Sequence, residues 1–210
     1  MLPYSELIIF ALAALGLVLT PGPNMMYLVS RSICQGRNAG LISLLGVVTG
    51  FFVHILSASF GITALLFAIP MGYELLKFVG AAYLLWMAWQ AVKPESQGMF
   101  TTVDLPPDAP LTLFKMGFFT SALNPKVAVF YLSLFPQFIK PAYGSILTQS
   151  LTLGITQLSI STMVNFLIVL SASAVASWFQ GRPLWVRVQK YLMETVLATL
   201  ALRLALSDRK

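Results

Sequence analysis

Along the chain, long apolar runs alternate with short gaps rich in proline, glycine and basic residues. A helix needs about 20 mostly apolar residues to cross a bilayer. Six runs meet that length, at 5–30, 39–66, 70–92, 112–136, 145–175 and 185–206. Arg31 and Arg37 punctuate the first gap, and Pro70, Gly72 and Glu74 the second. Pro136, Lys140 and Pro141 mark the fourth, and Gln180, Gly181, Arg182 and Pro183 the fifth. The third gap, residues 93–111 (KPESQGMFTTVDLPPDAPL), differs in kind: it holds four of the twelve prolines and three of the seven acids. Such a stretch is a polar, stiffened linker. The fold expected is therefore all-α, a polytopic membrane protein of six transmembrane helices. It is one membrane domain over 1–210, with repeat one at 1–92, the linker at 93–111 and repeat two at 112–210.

The two halves share a layout. The first run of each is interrupted deep inside, by Pro21, Gly22, Pro23 and Asn24 in one and by Asn124, Pro125 and Lys126 in the other. A long run rich in small residues follows in each half, then a shorter one opening on charged residues. Three spans per half force opposite orientations, the inverted-repeat plan of secondary transporters, in which paired helix breaks point to the transport site. The plainer alternative is that any two three-helix halves look alike at this level.

Composition agrees with a membrane protein. Of 210 residues 58% are hydrophobic and 10% charged, and the mean hydropathy is +0.82, whereas soluble domains carry about 25% charged residues. The single cysteine, Cys34, excludes a disulfide scaffold. The net charge of +6 comes from Lys and Arg set singly between apolar runs, which orients a membrane protein and is not a nucleic-acid-binding stripe. An N-terminus outside leaves seven basic residues in the inner loops and five outside. That count favours external termini and a cytoplasmic linker. The first run lacks the basic start and small-residue cleavage site of a signal peptide, so it is expected to remain as the first span.

The breaks carry the candidate chemistry. Proline has no N–H and clashes with the carbonyl four residues back, and in hydrocarbon a freed carbonyl must be satisfied by protein or by a watery cavity. A freed carbonyl can accept an ammonium, and a half-helix N-terminus can hold a carboxylate; amino acids bear both. Pro21, Gly22, Pro23, Asn24, Asn124 and Pro125 are thus candidates for substrate binding. Lys126 joins them, because a lysine at the centre of a membrane helix costs about 2.5–3.5 kcal/mol on insertion scales. It either faces a cavity or snorkels to an interface. In the second run Gly46, Gly50, His54, Ser57 and Gly61 share one helical face, where small residues admit a neighbouring helix. His54, the sole histidine, either titrates in proton coupling or is an interior histidine with its hydrogen bonds satisfied. The fifth run repeats the pattern with Gly154, Gln157, Ser161 and Asn165, a polar stripe expected to line a packed interface or an aqueous path. Gly36, Gly40, Gly46 and Gly50 can pack within the chain or between protomers of a homo-oligomer. Trp86, Trp89, Trp178 and Trp185 fit an interfacial belt.

Several classes fall away. No glycine-rich nucleotide loop is present. One His, one Cys and no acid deep in the first five spans leave little for a metal centre or a dithiol relay. HExxH, GxSxG and paired membrane aspartates are missing, so an intramembrane hydrolase is not expected. Neither cofactor nor metal is expected.

With these residues in view, the sequence resembles the LysE/RhtB family of bacterial amino-acid exporters over nearly its whole length. The stretches that carry the likeness are LTPGPNMMYLVSRSICQGRNAG at 19–40, LLKFVGAAYLLWMAWQAVK at 75–93, LNPKVAVFYLSLFPQFI at 123–139 and ALRLAL at 201–206. The resemblance implies a multi-pass protein of the bacterial inner membrane that exports amino acids or derivatives in exchange for protons. Many members have Asp or Asn just after the glycine of the second span, where Phe51 and Phe52 follow Gly50 here. That departure, with His54, looks more like the homoserine/threonine-type branch and points to a neutral or small polar substrate. The alternative is a metal-ion or other small-solute transporter of the same architecture.

Overall fold

In the computed structural model, residues 2–68 and 107–179 are described, together with the isolated helical positions Phe78, Ala82, Leu85, Trp86, Tyr191, Thr195 and Leu202. The expected third and sixth spans lie outside these residues. The regular elements among the described residues are all helical. The first run is two helices, α1 (Tyr4–Leu19) and α2 (Pro23–Cys34), bent by 53° at the Pro21-Gly22-Pro23 break. α3 (Arg37–Ala68) returns after a turn in which Gly36 has φ 86°, the left-handed region that favours glycine.

The fourth run is also broken, by more than one device. α4 (Pro110–Ala122) stops before Asn124, and the five-residue α5 (Pro125–Val129) restarts the chain. A π-helical turn at Phe130–Leu134 and a 3-10 turn at Phe135–Phe138 follow. α6 (Ile146–Phe179) is continuous. Proline opens α2, α4 and α5 at their first turns, where its missing N–H deprives the helix of nothing. Among the described residues three helical stretches are long and apolar enough to cross a membrane, and a fourth span is counted if the α1–α2 pair is one.

α1 and α4 start on opposite sides of the bundle. Glu6, in the first turn of α1, pairs with Lys140 beyond the 3-10 turn, whereas Asp108, just before α4, pairs with Arg31 near the end of α2. Both half-helices therefore stop midway, approached from opposite sides. α3 packs most heavily on α4, and α6 packs on α3 and, to a lesser extent, on α1 and α2. The α3–α4 contact is close because glycines make it so: a Cβ at Gly46 or Gly50 would overlap the backbone of Phe114 or Phe118, and one at Gly117 the backbone of Ser43. Gly40 abuts Ser32 and Val169. The stripe is thus used within the chain at Gly40, Gly46 and Gly50.

One expectation is corrected here. Ser57 and Gly61 share the glycine face but are exposed, and Gly61 has nothing within 4 Å among the described residues. α4 ends at Ala122, beside Gly50, so the face outruns its partner.

Beneath the exposed Ile8, Leu12 and Leu15, the core of α1 is Phe10, packed against Phe130, Phe135 and Phe138 at ring distances of 5.2–5.8 Å. Without water to drive apolar burial, such close packing supplies much of the cohesion between membrane helices.

Candidate transport site

Each break frees a backbone carbonyl in the middle of the bundle, and each freed carbonyl is met by a side chain from the other half. The missing N–H of Pro21 leaves Leu17 O without its helical donor. The Lys126 ammonium donates to Leu17 O at 2.9 Å and to Thr20 O at 2.5 Å. It thereby caps the C-terminus of α1, where the helix dipole favours a cation. Lys126 is 5% exposed. It sits at the second position of α5, and its own N–H donates to the Asn124 side-chain oxygen, an N-cap bond of 3.0 Å.

The second break is handled in the same way. Pro125 leaves Ser121 O without its donor from four residues on; the Asn124 N–H donates to it at 3.0 Å, and His54 Nε2 lies 2.8 Å from the same oxygen. A carbonyl only accepts, so Nε2 carries the hydrogen. The breaks are also tied directly: Asn124 Nδ2 donates to Asn24 Oδ1 at 2.9 Å, and Asn24 Nδ2 to Ser121 Oγ at 3.4 Å. Gly22 leaves the space that Lys126 uses, since a Cβ there would stand 3.1 Å from Lys126 Cε and Nζ.

Asn24, Asn124 and Lys126 line a cavity closed on its far wall by Gln157, Ser161 and Asn165 of α6, with Met25, Phe51 and Val127 among its apolar walls. The two breaks and the α6 stripe thus meet at one place. The free volume is about 20 Å³, room for about one water and too little for an amino acid. Phe51 lines it where the resemblance leads one to expect Asp or Asn. No carboxylate lies among its described lining residues.

The remaining candidates fall beside the cavity. Gly154 is covered by the Ile55 side chain. The rings of Pro23 and Pro125 are exposed; with Pro21 they shape the site by releasing carbonyls and starting helices. His54 stacks on Tyr131 with ring centroids 5.9 Å apart, and the Tyr131 hydroxyl donates to Gln157 Oε1 at 2.7 Å. Gln157 Nε2 donates to Ser161 Oγ at 2.8 Å, and Asn165 Nδ2 to Ser161 O at 2.8 Å. A continuous buried path of contacts therefore joins His54 to the cavity wall. The pattern of the sequence did not single out Tyr131 or Ser121. The signal for Ser121 was available, as the residue four before Pro125; Tyr131 is aimed inward by a π-turn that has no periodic signature.

Ion pairs stand toward both ends. Arg31 and Asp108 are joined by Gln35, which donates to the Asp108 carboxylate at 2.8 Å, while the Arg31 guanidinium lies 5.6 Å from the Tyr27 ring. On the opposite side Lys140 pairs with Glu6, and hydrogen bonding to that carboxylate raises the lysine pKa above its ordinary value.

The sequence profile described as "LysE type translocator" matches residues 15–208. The chain belongs to this family. As a LysE type translocator it is a transporter, and the matched range includes both breaks, the glycine face and the α6 stripe. Among its relatives is a homoserine/homoserine lactone efflux protein of Salmonella typhimurium, 32% identical over 169 residues and covering 79% of each chain. Leucine efflux proteins of Enterobacter sp. (28% identical over 200 residues, 93% of each chain) and Klebsiella pneumoniae (28% over 199 residues, 93% and 92%) are also similar. No solved structure matches the translocator.

Proposed function

We propose that this translocator exports amino acids, neutral or small polar ones, across the bacterial inner membrane in exchange for protons. The observation that carries the reading is the buried Lys126 ammonium, held on carbonyls released by the opposite break and facing a cavity of neutral amides. A lone cation and an α2 N-terminus at one small chamber suit a substrate carboxylate. The absence of an acid among the lining residues and the ring of Phe51 argue against a cationic side chain. The names of the relatives, efflux proteins for homoserine and for leucine, agree in class.

Six spans as two inverted repeats are part of the reading. Its support is the opposite course of α1 and α4, the heavy packing of α3 on α4, and a shared spacing. Pro125 lies 102 residues beyond Pro23, and Asp108 the same 102 beyond Glu6. On this plan the halves rock about the fixed site, each end pair parting in turn, and the arrangement described is the one closed at both ends. His54 is assigned to proton coupling through Tyr131 and Gln157. One proton crossing ~100 mV releases ~2.3 kcal/mol, and a tenfold gradient needs ~1.4 kcal/mol. One-for-one exchange therefore sustains an outward gradient of roughly 40-fold. A metal-ion transporter finds no group of three His, Cys, Asp or Glu among the described residues to support it.

Counterflow in proteoliposomes with labelled leucine, homoserine, threonine and lysine tests the proposal. Uptake of at least one of the first three and exclusion of lysine is expected. Transport of lysine alone, or of none, overturns it.

A further inference from the structure

The hydrogen bonds of the cavity wall close on themselves with one exception. Asn24 Oδ1 accepts from Asn124, Asn124 Oδ1 from Lys126 N, Gln157 Oε1 from Tyr131, and Ser161 Oγ from Gln157. Asn165 Oδ1 accepts from nothing among the described residues, although Asn165 is only 2% exposed. Its orientation is fixed, because Nδ2 must be the atom that donates to Ser161 O. A buried amide oxygen without a donor is unfavourable, and native structures keep few of them.

We infer that Asn165 Oδ1 is the acceptor for the substrate's α-ammonium, the counterpart of Lys126 for its carboxylate. The inference rests on the proposed export of amino acids and assigns one end of the substrate. The two residues stand on different elements, α6 and α5, and line one chamber. Lys126 has spent two of its three N–H bonds on Leu17 and Thr20 and keeps the third for an anion. The Asn165 oxygen offers acceptor capacity and no donor. A zwitterion satisfies both; a ligand whose nitrogen is acylated does not, because it gains bulk and loses its charge.

The test is competition against counterflow in proteoliposomes, using whichever of labelled leucine, homoserine or threonine the wild-type protein transports. The competitors are the unlabelled amino acid, its N-acetyl derivative and its methyl ester. For wild type the N-acetyl derivative should compete far less well than the parent. Asn165→Leu should raise the half-saturation concentration for the parent roughly ten- to a hundredfold, the loss of one hydrogen bond to a charged group. The variant should also bring the N-acetyl derivative and the parent close to parity, with the handicap of the methyl ester unchanged. Asn165→Asp keeps the acceptor and should keep the discrimination.

Equal weakening of parent and N-acetyl derivative in Asn165→Leu would show a packing role and overturn the inference, as would no change at all. If Asn165→Leu does not fold, loss of discrimination in Asn165→Asp overturns it alone. Failure of the wild-type protein to move any of the three amino acids removes the transport reading beneath it, a separate result.

Discussion

Lys126 shows how a single costly residue becomes tolerable. Its ammonium is out of water, but two carbonyls at the negative end of α1 replace the lost hydration. Removing the charge and keeping the stem leaves both carbonyls without that donor, so thermal stability should fall together with function. Lys126→Met is expected to insert and remain monodisperse in detergent while its counterflow half-saturation rises roughly ten- to a hundredfold, the worth of a charge-assisted bond. Wild-type kinetics in that variant would detach the residue from the substrate. His54 permits an equally narrow test. Glutamine can still donate to Ser121 O but cannot titrate, so His54→Gln should leave substrate half-saturation within about twofold. It should flatten the pH dependence of proton-driven efflux. An unchanged pH profile would assign the proton elsewhere.

The elements are short around the two proline breaks and long elsewhere. α3 and α6 run unbroken, and α1, α2, α4 and α5 are halves. This was legible in the sequence, because proline's missing N–H acts on a carbonyl four residues away and any reader of the chain can locate both. What the sequence withheld lies across distance: Lys126 meets Leu17 and Thr20 more than 100 positions away, and no periodicity encodes such a meeting. The glycine face of α3 illustrates the same boundary. Spacing places Gly46 and Gly61 on one side of the helix, but only the end of α4 decides which of them is covered. Gly46→Leu should lower stability by about 1–3 kcal/mol through overpacking against Phe114, read by thermal unfolding in detergent. Gly61→Ala meets nothing among the described residues and should raise it by about 0.5–1 kcal/mol.

At the scale of the whole molecule, the ion pairs Glu6–Lys140 and Arg31–Asp108 stand at opposite ends of one chamber. Exposed pairs contribute about 0–1 kcal/mol and these are part-buried, so neutralising one should shift the balance of open forms by about fivefold or more. In a Cys34→Ser background carrying Val127→Cys, Glu6→Gln should speed labelling by an impermeant thiol reagent from the side of Glu6 only, and Asp108→Asn from the other only. Labelling that rises equally from both sides would exclude independent closures. The Glu6 end also depends on pH in a known sense. The Lys140 pKa is raised in the folded protein, so its contribution is complete below the ordinary lysine value of 10.5 and fades as pH climbs through the raised one. Thermal unfolding followed across that alkaline range should show Glu6→Gln losing less stability than wild type.

The narrowness of the chamber has a consequence for the cell's energy supply. A file of water through the chamber would let protons slip past the carrier, and a space with room for about one molecule leaves no length for one among the described residues. A low proton leak in the absence of substrate is therefore expected, read as slow decay of a pH gradient imposed across proteoliposomes.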